Sequence, residues 1–170
     1  MSETVIVLVE DARWNSVDLS HLAERGFGAV LSVLGLGPDG YEATVLGCND
    51  AKISQLNSDF RQKPQPTNVL SWPSADLVRP HPDGPPCLPP TGTLEQPYEL
   101  GDIAISYETC AKESGEFGKE MSAHVLHLLV HGTLHLFGYD HVVTKDAEEM
   151  ENLERQALAI LGQPDPYMDE

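Results

Sequence analysis

The chain has 170 residues, 41% of them apolar, and its 27 acidic and 10 basic side chains leave a formal net charge of −17. That length supports one hydrophobic core without disulfide staples, and 22% charged residues, against a globular average of about 25%, exclude wholesale disorder. Three scattered cysteines without a CxxC pair, apolar runs well short of about 18 residues and an N-terminus without a basic start argue against a disulfide framework, a membrane span and a signal peptide; the expectation is free thiols in a cytoplasmic protein.

The run TVIVLV, Thr4 to Val9, reads as a buried strand because it is short, apolar and β-branched. Apolar residues at helical spacing from Leu19 to Leu34 predict a helix, weakened by Gly26 and Gly28 and stopped by Gly35, Gly37 and Pro38. Tyr41 to Leu46 predicts a second strand. Asn49 or Asp50 then caps a helix whose Ile53, Leu56 and Phe60 share a face and which ends near Arg61. After Pro64 and Pro66, Thr67 to Trp72 predicts a third strand. Residues 73–99 hold eight of the thirteen prolines and read as an irregular loop within the domain.

Leu100 to Ser106 alternates as a fourth strand should, and Glu108 to Glu113 predicts a short helix broken by Gly115 and Gly118. Glu120 to Phe137 is a long apolar helix interrupted by histidines. Thr144 opens a last helix with Met150, Leu153, Ala157, Leu158 and Leu161 on its buried stripe, ended by Gly162 and Pro164. The expected architecture is an α+β single domain over 1–162, with a small mixed sheet of about four strands and a tail over 163–170.

Charge is uneven along the chain. Residues 1–47 carry seven acidic and two basic side chains, and residues 81–170 carry seventeen and four; residues 48–80 carry three and four. That middle window is the one stretch where a polyanion meets no strongly repulsive surface.

At about 100° per residue, His124, His127, His131 and His135 fall within roughly 80° of one helix face. His124 and His127, taken singly, read as ordinary core or surface histidines, or as contacts supporting a site. His131 and His135 differ, because HGTLHLFGYDH has the form HxxxHxxGxxH. Two histidines one turn apart bind one Zn²⁺ through ring nitrogens. A third ligand six residues later requires a sharp turn, which Gly138 permits through positive φ, folding His141 back. Three histidines leave a tetrahedral corner open, as in catalytic zinc sites; the alternative is a closed structural site completed by Asp140 or a remote cysteine. The spacing equals that of metzincin proteases, but Gly132 replaces their glutamate base, which removes peptidase chemistry.

HGTLHLFGYDH resembles the signature of the YbeY family of zinc-dependent endoribonucleases, factors of ribosomal RNA maturation. LNSDFRQKPQPTNVLSWP (56–73), LGDIAIS and EEMENLERQAL resemble further blocks of that family, together spanning most of Asn49 to Leu161. Asn68 stands where the family usually has Asp, Trp72 where it usually has Phe, and the Pro-rich loop is longer than usual. The resemblance implies an α+β domain around a central metal-binding helix, one Zn²⁺ per chain held by His131, His135 and His141, and Arg61 facing the scissile phosphate. A guanidinium fork in the net-positive window suits that role. Thr133 and Asp140 are candidates for assisting hydrogen bonds, and Asp140 equally for partnering a ligand histidine.

The function implied is single-strand-specific cleavage of ribosomal RNA, at the 3′ end of the small-subunit RNA and in ribosome quality control. The implied partners are that RNA, the small subunit and ribosome-associated proteins, with no membrane or DNA. The rivals are a metal hydrolase of another substrate and a zinc-stabilised assembly factor without catalysis. Three histidines also suit Ni²⁺ or Cu²⁺.

Overall fold

A computed structural model describes residues 5–37, 39–63, 65–74, 88–139 and 144–167; the side chains of residues 60, 61 and 144–146 lie outside that description. In chain order it contains β1 (Val5–Val9), a 3-10 helix (Ala12–Val17), α1 (Leu19–Val33), β2 (Tyr41–Cys48), α2 (Asp50–Arg61), β3 (Val69–Pro73), β4 (Tyr98–Ser106), α3 (Tyr107–Phe117), α4 (Met121–Leu136) and α5 (Thr144–Ile160). The strands form one sheet in the order β1-β2-β4-β3. The first three run parallel and β3 pairs antiparallel with β4. This is the expected α+β domain with a small mixed sheet.

Two elements differ from the sequence reading. Helix α3 runs through Gly115 and stops at Gly118. A Cβ at Gly115 meets nothing within 4 Å, and an exposed mid-helix glycine costs only about 1 kcal/mol, so Gly115 does not break the turn. Gly118 does, at φ 65°, where Lys119 N–H bonds the Ser114 carbonyl at 2.9 Å. The 3-10 helix is the second difference. Asp11 caps it through the Arg13 N–H, and it buries Trp14, whose Nε1 donates to the Cys48 carbonyl at 2.9 Å.

The two faces of the sheet are covered unequally. Tyr41, Ala43, Val45, Ile103 and Ile105 join the main core with α1, α4 and α5, while Cys48, Ile53, Leu70 and Ala104 form a smaller core under α2. Helix α1 crosses α4 at Gly26, where a Cβ would stand 3.4 Å from Leu129 Cβ. The glycine that weakens α1 locally thus lets two helices approach. Helix α4 lies against the sheet at Gly132, over Ser71 of β3 and Ile103 of β4. Among the described residues no helix is long and apolar enough to cross a membrane.

Candidate functional site

Helix α4 is buried on nearly every side. From His124 to Leu136, the residues that are not buried are His127, His131 and His135. A central helix usually sheds its polar residues toward solvent in a mixed stripe; here the open stripe is imidazole alone, at a spacing of four.

His131 and His135 converge. Their Nε2 atoms stand 3.1 Å apart, with the rings nearly perpendicular at 85° and their centroids 4.6 Å apart. Two nitrogens each about 2.0–2.1 Å from one cation at the tetrahedral angle stand about 3.3 Å apart. The pair therefore fits two corners of such a site. Among the described residues, no group of three or more His, Cys, Asp or Glu is arranged to hold a metal ion. His141 and Asp140 lie outside the described residues.

The turn that closes α4 is described up to Tyr139. Gly138 adopts φ 94°, its N–H bonds the His135 carbonyl at 3.0 Å, and the Tyr139 N–H bonds the Leu134 carbonyl at 3.1 Å. This double bond pattern closes a helix with a left-handed residue, and the buried Tyr139 seals it against α4. The helix thus ends just before the glycine of the motif.

Behind His131 sits a residue that the sequence reading missed. Glu154 of α5 is 1% exposed. Its Oε2 is 3.2 Å from His131 Nδ1, and its Oε1 is 2.6 Å from His127 Nε2 and accepts from the Tyr167 hydroxyl at 2.8 Å. Burial pushes this carboxyl up, but the hydrogen bonds from His127 and His131 outweigh it and hold it at about 2. The signal was present: Glu154 lies four residues after Met150 and three before Ala157, on a stripe otherwise apolar. His127 contacts this cluster rather than standing alone, and Tyr167 covers it edge-on at 5.6 Å. Arg155 pins that segment through Asp165 at 3.0 Å.

Other sequence candidates are placed elsewhere. His124 is buried, with Nε2 2.9 Å from Glu113 Oε1, and its Nδ1 has no hydrogen-bond partner among the described residues. Thr133 is buried on the core side and donates to the Leu129 carbonyl at 2.7 Å, so the structure does not bring it to the histidine pair. Arg61 is the last residue of α2 and precedes Gln62, which takes a left-handed φ of 57°; the Arg61 side chain lies outside the described part. Cys48 and Cys110 are free, fully buried thiols. Burial pushes Cys48 up to about 12 and Cys110 further, so neither is ready to serve as a thiolate ligand. Cys87 lies outside the described residues.

Comparison with known proteins adds identity to this geometry. A family model described as Endoribonuclease YbeY matches residues 8–162. A Ruegeria protein named Endoribonuclease YbeY is 51% identical over 164 residues, covering 96% of each chain. One of the same name from Cereibacter sphaeroides is 49% identical over 167 residues, 98% of this chain and 100% of its own. The solution structure of a Thermotoga maritima protein, 20% identical, matches with a TM-score of 0.54 over 97% of this chain and 99% of its own, and shares the fold. With a full-length match in sequence and two histidines converging on the open stripe of its central helix, this chain belongs to the YbeY endoribonuclease family.

Proposed function

We propose that this chain is a metal-dependent endoribonuclease that cleaves single-stranded ribosomal RNA in the cytoplasm, in maturation of the small-subunit 3′ end and in ribosome quality control. The observation that carries the chemistry is the convergence of the His131 and His135 Nε2 atoms on one point of the open stripe of α4. His141, three residues past the Gly138 turn, is the proposed third ligand, and the metal is zinc, one per chain. Bound there, zinc supplies Lewis acidity, which makes hydroxide available near neutral pH without a carboxylate base.

The chain's own residues do the rest. His131 and His135 present neutral ring nitrogens and leave the outward side for substrate. Gly132 offers no base, and α4 lies on Ser71 and Ile103 at that point. That favours phosphodiester over amide substrates. Arg61 is proposed to bind the scissile phosphate, its planar fork matching two phosphate oxygens. The relatives named as endoribonucleases support the RNA substrate.

The test is direct. Zinc per chain, measured on the purified protein and on His131→Ala, should fall from about one to near zero, and cleavage of ribosomal RNA should disappear with His131→Ala and with chelator. Arg61→Ala should retain zinc and fold but lose activity by about 10²-fold or more. Zinc loss that unfolds the chain, with Arg61→Ala as active as the parent, would favour an assembly factor instead.

A further inference from the structure

We propose that Glu154 is a positioning residue of this site: it fixes His131 as the tautomer protonated on Nδ1, so that the Nε2 lone pair faces the point where the His135 nitrogen also converges. The inference rests on the metal reading above and deepens it. Glu154 is buried on α5, an element that contributes no proposed ligand, and an ionised carboxylate can only accept hydrogen bonds. Its two oxygens divide their partners. Oε1 takes His127 Nε2 at 2.6 Å and the Tyr167 hydroxyl at 2.8 Å, while Oε2 faces His131 Nδ1 at 3.2 Å. A ring proton carried on Nδ1 and donated to Oε2 leaves Nε2 unprotonated, facing His135 Nε2 at 3.1 Å.

The arrangement also restricts the ring's rotation. His131 is held from behind by a carboxylate that is itself immobilised by two other groups, one from α4 and one from the segment that Arg155 ties down through Asp165. A negative charge at that distance raises the basicity of the imidazole as a ligand and offsets part of the charge of a bound cation. A bare structural tie between α4 and α5 would not need the tautomer.

Three measurements test this. Zinc affinity is measured against a chromophoric chelator for the parent, Glu154→Gln and His131→Ala, and the ring nitrogens of His131 are assigned by ¹⁵N NMR in the metal-free parent. The expected result is about 10- to 100-fold weaker zinc binding by Glu154→Gln, near-complete loss in His131→Ala, and a His131 ring protonated on Nδ1. Glu154→Gln binding zinc within twofold of the parent would overturn the inference alone. So would a His131 ring protonated on Nε2, a result that does not depend on the variant folding. If the parent binds no more zinc than His131→Ala, the metal reading fails and this inference falls with it.

Discussion

Gly132 shows how one residue can decide both packing and chemistry. A Cβ there would stand 3.0 Å from Ser71 Oγ and 3.3 Å from Ile103 Cδ1, so the position where metzincin proteases, with the same motif spacing, carry their glutamate is here the floor on which α4 meets the sheet. Gly132→Glu should therefore not create a protease. It should lower the unfolding free energy by about 3 kcal/mol or more, through overpacking and a buried unpaired charge, read as a lower urea midpoint. Asn68 has a comparable local explanation. Its Nδ2 donates at 2.9 Å to Glu113 Oε1, the atom that also meets His124. An aspartate at this position would place two carboxylates together there, whereas the Asn68 amide donates to Glu113.

Among the elements, α4 and its terminator define the site. Gly138 at φ 94° permits a reversal that an L side chain resists at a cost of about 1–2 kcal/mol. Gly138→Ala should destabilise by that amount and lower zinc occupancy. Gly115→Ala, in the open interior of α3, should instead stabilise by about 0.5–1 kcal/mol, so equilibrium unfolding of the two variants should shift in opposite directions. This contrast marks what was legible in the sequence. Strands, helices and the histidine stripe follow from periodicities of two and 3.6 and from turn residues, which act within a few positions of the chain. Glu154 was not read as functional because its meaning comes from α5 packing behind α4, and a helix stripe in sequence does not say which neighbour it will face. The 3-10 turn around Trp14 escaped for a similar reason: it is held by a bond to the Cys48 carbonyl, 34 residues away.

For the whole molecule, a net charge of −17 sets the manner in which RNA is met. With the sole net-positive stretch confined to residues 48–80, few phosphates are contacted, and affinity should depend weakly on salt. For about two contacts to a single strand the slope of log affinity against log salt is about −1.4, or roughly sevenfold between 50 and 200 mM. A loss of about 10³ over that range would mean a broad basic footprint and contradict this expectation. On the function proposed above, the remaining affinity would come from ribosomal partners. The cluster behind His131 also has an order in time. Its carboxylate lies 23 residues downstream of that histidine, and Tyr167 a further 13. In a nascent polypeptide the imidazole stripe is therefore translated before the groups that orient it, and His131 gains its fixed orientation only once α5 and Tyr167 have followed.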